Sequence, residues 1–320
     1  MKAAIHTKYG PPEVVTIQEV NKPSPGDHEV LVKVHAGTVN RTDCGFRSAE
    51  YFVSRFFSGL FRPRQHTLGN EFAGVVEMVG SAVTAFQPGD KVFGYNDKTF
   101  GAHAQYMTMP AQGTVALMPA GISFETAAAI SEGAHYALCD IRAAKVQSGQ
   151  NVLVNGATGA IGSAAVQLLK YFGARVTAVC HTRHMALVQG LGADTVIDYT
   201  QQDFTQTQER FHFVFDAVGK SSFARCKKIL LPQGIYISTE LGRRGVNIPL
   251  ALITPLLGGK KLLFPIPGIN LQDILFLKEL VETGKFKPVL DKQYPLEHIV
   301  DAYRYVETGQ KTGNVILSIA

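Results

Sequence analysis

Gly156, Gly159 and Gly162 punctuate the run Asn151-Val-Leu-Val-Asn-Gly-Ala-Thr-Gly-Ala-Ile-Gly. Residues lacking Cβ at this spacing let a pair of phosphates approach the backbone. A helix starting at once would aim its free N–H groups and the positive end of its dipole at the anionic oxygens. The chemistry on offer is the grip of a dinucleotide's diphosphate. The elements around the turn agree with this: Val152 to Val154 reads as a buried parallel strand, and Ile161, Ala164, Ala165, Leu168, Leu169 and Phe172 recur at helical spacing. Gly156, Ala157, Thr158, Gly159, Ala160, Ile161 and Gly162 are therefore expected to line the phosphates.

Which dinucleotide is decided at the end of the second strand, Arg175 to Cys180, about 20 residues past the glycines. An NAD site wants Asp or Glu there to hold the ribose hydroxyls. This chain has Cys180-His-Thr-Arg-His instead. Arg183 offers a planar fork for a 2'-phosphate, His181 and Thr182 are short-range donors, and Tyr199 can pack beside the adenosine. The alternative is that Arg183 and His184 only solvate the start of a surface helix. The pattern predicts NADPH.

A length of 320 residues suggests about two domains. Apolar residues make up 46% and charged residues 18%, an ordinary globular balance. The formal charge of +5 is mild, and no basic run is interleaved with aromatics, so a nucleic-acid groove is not expected. The four cysteines, Cys44, Cys139, Cys180 and Cys226, are scattered without a CxxC pair, which points to free thiols in a reducing compartment. The first ten residues lack the apolar core of a signal peptide, and the apolar stretch from Ile248 to Leu257 is interrupted by Pro249 and Pro255. A cytoplasmic protein without membrane insertion is expected.

The pattern from residue 1 to about 122 is one of short alternating runs between turn signals, as in Glu29-Val-Leu-Val-Lys-Val-His, and predicts a mostly β domain. From residue 123 to 287 helices alternate with apolar strands: a helix over Ser123 to Ala144, then the glycine unit, then strands at Val176 to Cys180, Thr195 to Ile197, Phe213 to Asp216 and Gly234 to Ser238. Such alternation predicts a doubly wound parallel sheet. Residues 288–320, with a helix over Pro295 to Thr308 and a closing strand from Asn314, are expected to rejoin the first domain. Arg47 to Gln65, rich in Phe and Arg, reads equally as a mobile lid and as a packing insertion.

The chain resembles the medium-chain dehydrogenase/reductase superfamily, in its zinc-lacking quinone oxidoreductase branch. The residues carrying the resemblance are Gly26-Asp-His-Glu-Val-Leu-Val-Lys-Val, Val39-Asn-Arg-Thr-Asp, Leu68-Gly-Asn-Glu-Phe-Ala-Gly, Pro88-Gly-Asp-Lys-Val-Phe-Gly, Gly101-Ala-His-Ala-Gln-Tyr, the glycine turn, Leu191-Gly-Ala-Asp and Phe215-Asp-Ala-Val-Gly. The resemblance implies a GroES-like β domain beside a Rossmann domain, the active site in the cleft between them, and pairing of Rossmann sheet edges into a homodimer. Gly234 to Ser238 with the apolar stretch after it is the candidate edge, though a covered edge reads the same in sequence.

Departures from the zinc-dependent members bear on the chemistry. Asn40 stands where they carry a cysteine, and Asn70 where they carry a histidine before the glutamate, here Glu71. Asparagine is a poor zinc ligand. Tyr95 to Pro110, the place of their structural-zinc lobe, has no cysteine. Without a Lewis acid, alcohol oxidation is disfavoured and no metal site is expected. Hydride transfer to an electrophilic quinone or α,β-unsaturated carbonyl remains feasible, since its product charge is delocalised.

In this reading Asn40 donates to the carbonyl oxygen or orients a water; the alternative is a turn amide bonded to its own backbone. Asp43 orients or caps. His135 stands where relatives place a threonine against the nicotinamide, or else is a satisfied core histidine. Tyr51 and Tyr136 are hydroxyl candidates, or else packed tyrosines with the polar tip satisfied. By resemblance Ala217, Val218, Leu263 and Phe264 lie along the cofactor, and Asn314 replaces a lysine near its phosphate, which weakens that contact. Two other functions stay open: a metal-dependent alcohol dehydrogenase rebuilt from Asp43, Glu71, Glu132 and His135, and an NADPH-binding interaction protein with little turnover.

Overall fold

The computed structural model of the protein describes residues 1–50 and 55–319. The chain divides into two compact units, Met1–Glu132 with Ile269–Ala320, and Gly133–Gly268.

The first unit opens with the antiparallel pair β1 (Lys2–Ile5) and β2 (Thr16–Glu19), followed by β3 (Glu29–Val39). Helices α1 (Arg41–Ser48) and α2 (Arg55–Ser58) precede β4 (Glu71–Val79), β5 (Lys91–Tyr95), β6 (Tyr106–Pro110), β7 (Val115–Leu117) and α3 (Phe124–Ala128). In β3 the period-two spacing turns Val30, Val32 and Val34 into one core with Phe72, Val76 and Val92.

Helix α4 (Glu132–Ala143) runs into the second unit, which contains β8 (Asn151–Asn155), α5 (Ala160–Tyr171), β9 (Arg175–Cys180), α6 (Met185–Gly190), β10 (Thr195–Asp198), β11 (Phe211–Asp216), α7 (Phe223–Cys226), β12 (Leu230–Ser238), α8 (Asn247–Ile253) and β13 (Lys261–Leu263). The strands are all parallel, in the order β10-β9-β8-β11-β12-β13. This is the doubly wound Rossmann order, with the reversal of winding between β8 and β11. The middle strands are continuous apolar runs because helices cover both faces of such a sheet: Val152, Leu153, Val154, Phe213, Val214 and Phe215 are all buried.

The chain then returns through α9 (Leu271–Glu282), β14 (Leu290–Pro295), α10 (Ile299–Glu307) and β15 (Asn314–Ser318). Strand β15 pairs antiparallel with β3 and parallel with β14, extending the first unit's sheet to β14-β15-β3-β4-β5-β7, with β6 paired to β3. The fold is thus α/β: a Rossmann sheet plus a GroES-like, mostly antiparallel domain.

Three sequence expectations are revised. The helix over Ser123 to Ala144 is interrupted at 129–131, between α3 and α4. The units divide after Glu132 and after Gly268 rather than after 122 and 287, because α3 packs on β3 and β4 and α9 packs on β7. Gly234 to Ser238 is no sheet edge: β12 is flanked by β11 and β13, and β13 is the outermost strand. Among the described residues no helix is long and apolar enough to cross a membrane.

Candidate functional site

The glycine turn joins β8 to α5 at the switch point of the second unit's sheet. Gly156 has φ +80°, a conformation that disfavours a side chain, and a Cβ there would stand 2.7 Å from Val218 Cβ. A Cβ on Gly162 would stand 2.1 Å from the carbonyl oxygen of Gly156. The helix start therefore folds back tightly onto the end of the strand. Gly159 is the N-cap of α5 and has no side chain to occupy the first-turn N–H groups. Those donors, carried by Ala160, Ile161 and Gly162, suit a diphosphate. Ala157 is buried and its N–H donates to Val179 O, while Thr158 is half-buried on the turn.

Hydrogen bonds centred on Asn155 and Asp216 pin the neighbouring strand ends. Asn155 Nδ2 donates to Asp216 Oδ1 at 2.9 Å, and Asp216 Oδ2 accepts from Ser221 N at 2.8 Å and Tyr236 Oη at 3.0 Å. Ala217 N donates to Asn155 O at 3.0 Å, which sets Ala217 and Val218 beside the glycine turn. Leu263 closes β13 in register with Ile237, and Phe264 packs on the sheet's core.

At the carboxyl ends of β9 and β10 the parallel register places Asp198 beside Cys180. His181 Nδ1 accepts from Arg183 N at 3.3 Å, and its ring meets Tyr199 edge-on at 5.8 Å. Arg183 is exposed, with Nε donating to His184 Nε2 at 2.9 Å. His181, Thr182, Arg183 and Tyr199 are thus brought together. One acidic neighbour was not read from sequence. Thr182 Oγ1 donates to Asp198 Oδ2 at 2.5 Å, and Asp198 Oδ1 accepts from Thr200 N and Oγ1. Asp198 thereby orders the loop with its own carboxylate, and Thr182's hydrogen is directed inward.

The first unit holds a second polar assembly where β3 ends and β4 begins. Asn40 follows β3, and its Nδ2 lies 2.9 Å from Thr38 Oγ1, 2.9 Å from Glu71 Oε2 and 3.2 Å from Glu132 Oε2. Glu71 Oε2 also accepts from Thr38 Oγ1 at 2.7 Å, and its Oε1 takes the N–H groups of Ser131 at 2.9 Å and Glu132 at 2.5 Å. This carboxylate satisfies the N–H groups at the start of α4, which explains the interruption after α3. Glu132 Oε1 accepts from Thr42 Oγ1 at 2.6 Å. Asp43 receives the N–H of Asn40 at 2.9 Å and of Gly69 at 3.0 Å, a capping and loop-binding role.

Electrostatics here are unusual. Burial pushes the carboxyls of Asp43, Glu71 and Glu132 well above the ordinary carboxylate range, and Glu132 raises Glu71 further by like charge. Lys311, itself lowered by burial, supplies a positive field to Glu132 and Glu71. Buried His103 is held down to about 4; its Nε2 donates to Thr38 O at 2.8 Å, fixing the neutral tautomer. The amide hydrogens of Asn40 point at oxygens of this cluster, while Asn40 Oδ1 and Asn70 Oδ1 are buried without a donor among the described residues. Among the described residues no group of three or more His, Cys, Asp or Glu is arranged to hold a metal ion.

Other predicted residues fall as follows. His135 is buried in α4, its ring 4.6 Å from that of Tyr136. Asn314 is only 3% exposed and donates to Val289 O at 3.2 Å, so its amide nitrogen serves the return of the chain to the sheet. Tyr51 lies outside the described residues.

Comparison with known proteins agrees with this architecture. Residues 26–120 match the alcohol dehydrogenase GroES-like domain, and residues 191–317 match the zinc-binding dehydrogenase family. The chain is 32% identical to 2-methylene-furan-3-one reductase of Solanum lycopersicum, over 99% of this chain and 79% of that protein. It is 30% identical to the chloroplastic NADPH-dependent alkenal/one oxidoreductase of Arabidopsis thaliana, with the same coverage. The quinone oxidoreductase structure from Coxiella burnetii superposes with a TM-score of 0.88 at 26% identity, covering 100% of this chain and 99% of that one. The chain belongs to the medium-chain dehydrogenase/reductase superfamily, in its quinone oxidoreductase-like branch.

Proposed function

We propose that this protein is a zinc-independent, NADPH-dependent reductase of quinones or α,β-unsaturated carbonyl compounds. The observation that carries this reading is Asn40, an amide bonded to two raised carboxyls at the position where zinc-dependent relatives place a thiolate. Thiolate charge is missing, and an amide hydrogen-bonded to those carboxyls is a poor ligand. The glycine turn fits a dinucleotide diphosphate, since the N-cap of α5 is Gly159 and no side chain occupies the first-turn N–H groups. NADPH, when bound, supplies hydride to the acceptor. The exposed Arg183 fork and the lack of an acid at the end of β9 support the 2'-phosphorylated cofactor, as does the name of the Arabidopsis relative.

Of the two roles open to Asn40, orienting a water fits better. Both amide hydrogens have acceptors within the protein, whereas Oδ1 is buried with no donor among the described residues. A water donating one hydrogen to Oδ1 can give the other to the acceptor's carbonyl oxygen. Burial raises the neighbouring carboxyls, which lessens the negative charge they set against the oxygen where charge develops. The absence of disulfides among the described residues supports a reducing, cytoplasmic setting.

A homodimer is part of the proposal. Strand β13 ends the sheet, and beside it Leu252, Leu256, Leu257 and Ile266 are 70%, 85%, 76% and 89% exposed. An open edge next to apolar surface suits pairing with a second copy. Sedimentation of the purified protein tests this.

The activity is tested by NADPH consumption with 9,10-phenanthrenequinone and with a simple vinyl ketone, before and after chelator treatment. Turnover that survives chelation is expected. Stoichiometric zinc lost together with activity would establish the alcohol-dehydrogenase alternative. Tight NADPH binding with no turnover on either acceptor would favour an interaction protein.

A further inference from the structure

We propose that the turn formed by residues 55–64 docks the protein on an anionic lipid surface. Its tip is apolar and outward: Leu60 is 42% and Phe61 86% exposed, with Phe56 at 64% beside them. This exposure is imposed by the backbone. Arg64 N donates to Ser58 O at 2.8 Å, closing the loop, and Gly59 N donates to Arg55 O at 2.9 Å. Gly59 takes φ +121°, and a Cβ there would meet Arg62 O at 2.1 Å, so the chain reverses tightly beneath the tip. Tyr9 Oη anchors the base, donating to Gly59 O at 2.6 Å and lying 2.7 Å from Ser58 Oγ. A fixed turn therefore holds its most apolar residues in water.

The charged residues of the turn itself have one sign, and the nearest acid to the Tyr9 anchor, Glu307, is paired with Arg47. Arg62 and Arg64 are exposed and form no ion pair among the described residues, Lys8 is exposed next to the Tyr9 anchor, and residues 51–70 contain no Asp or Glu. The acids flanking this stretch do not compensate: Glu50 lies 3.6 Å from Arg41, and Glu71 is buried in the polar assembly of the first unit. A protein partner would need a pocket shaped for this convex tip. A bilayer interface makes no such demand, accepts aromatic and leucine side chains at headgroup depth, and offers phosphates to the arginines. The geometry is that of a surface contact, not a spanning element.

The test is co-sedimentation of the full chain, without cofactor or acceptor, at low salt. One set of vesicles is pure phosphatidylcholine, and another mixes three parts phosphatidylcholine with one part phosphatidylserine. Pelleting with the mixed vesicles alone is expected. The double variant Arg62→Gln/Arg64→Gln should weaken partitioning about thirtyfold, at about one kcal/mol per arginine. Phe61→Ser should weaken it about tenfold or more. Both variants should keep the wild-type melting temperature. The proposal is overturned if the wild type stays in the supernatant with mixed vesicles, if both vesicle types pellet it equally, or if both variants bind as the wild type does. Because no turnover is measured, the outcome is separate from that of the reductase assay.

Discussion

Asn40 Nδ2 stands 2.9 Å from Glu71 Oε2, joining the residue after β3 to the first residue of β4. These neighbours in the sheet are 31 positions apart in sequence, and their bond makes Asn40 both a structural bridge and the proposed organiser of the acceptor's oxygen. Asn40→Ala should therefore act twice. Removing one of the donors to each of two buried carboxyls costs roughly 1–3 kcal/mol of stability. Turnover of a vinyl ketone should fall about 10- to 100-fold with NADPH affinity unchanged, which steady-state kinetics and direct cofactor titration would resolve. An unchanged kcat in a folded variant would remove Asn40 from the mechanism.

At the glycine turn the contact is with backbone, which cannot yield as a side chain can. Gly162→Ala would place its methyl 2.1 Å from Gly156 O. NADPH affinity should drop at least about tenfold, with a loss of roughly 1–3 kcal/mol in folding stability from the forced backbone shift. Cofactor fluorescence titration and thermal melts would measure the two effects.

Arg183→Gln tests cofactor choice. Hydrogen bonds to a charged group contribute roughly 1.5–3 kcal/mol, so KM for NADPH should rise about tenfold or more while KM for NADH stays level. An equal effect on both cofactors would return Arg183 to a solvating role.

Stability should decline as pH rises from 6.5 to 8.5. Burial raises the Asp140 carboxyl to about 8, and Asp43, Glu71 and Glu132 shift in the same direction. Between their ordinary and raised values the native state holds protons that the unfolded state has released, so each rise in pH favours unfolding. Lowered His6 and His103 act only below their ordinary value, and lowered Lys311 works against the carboxyls only above its own lowered value, so the four carboxyls set the direction. Asp140→Asn should melt higher than wild type at pH 8.5, by on the order of 2 kcal/mol, and flatten the profile.

The sequence by itself determined the glycine turn, the parallel sheet behind it and the basic residues at the end of β9. Each depends on a contiguous stretch: an apolar strand, glycines where a Cβ would collide, and a helix begun at once. Asp198 escaped that reading because it reaches Thr182 from the next strand, 16 residues on. Only the tertiary structure decided the polar assembly of the first unit. Asn40 meets Glu132 across 92 residues, and Glu71 reaches the N–H groups at 131 and 132 from β4, breaking a run that looked like one helix. It also turned Asn314 inward to Val289 and made β13 the sheet edge. Local spacing encodes which backbone shapes a segment can adopt. Which buried carboxyl finds which donor is set by sheet register and burial, quantities that exist only once distant segments have packed.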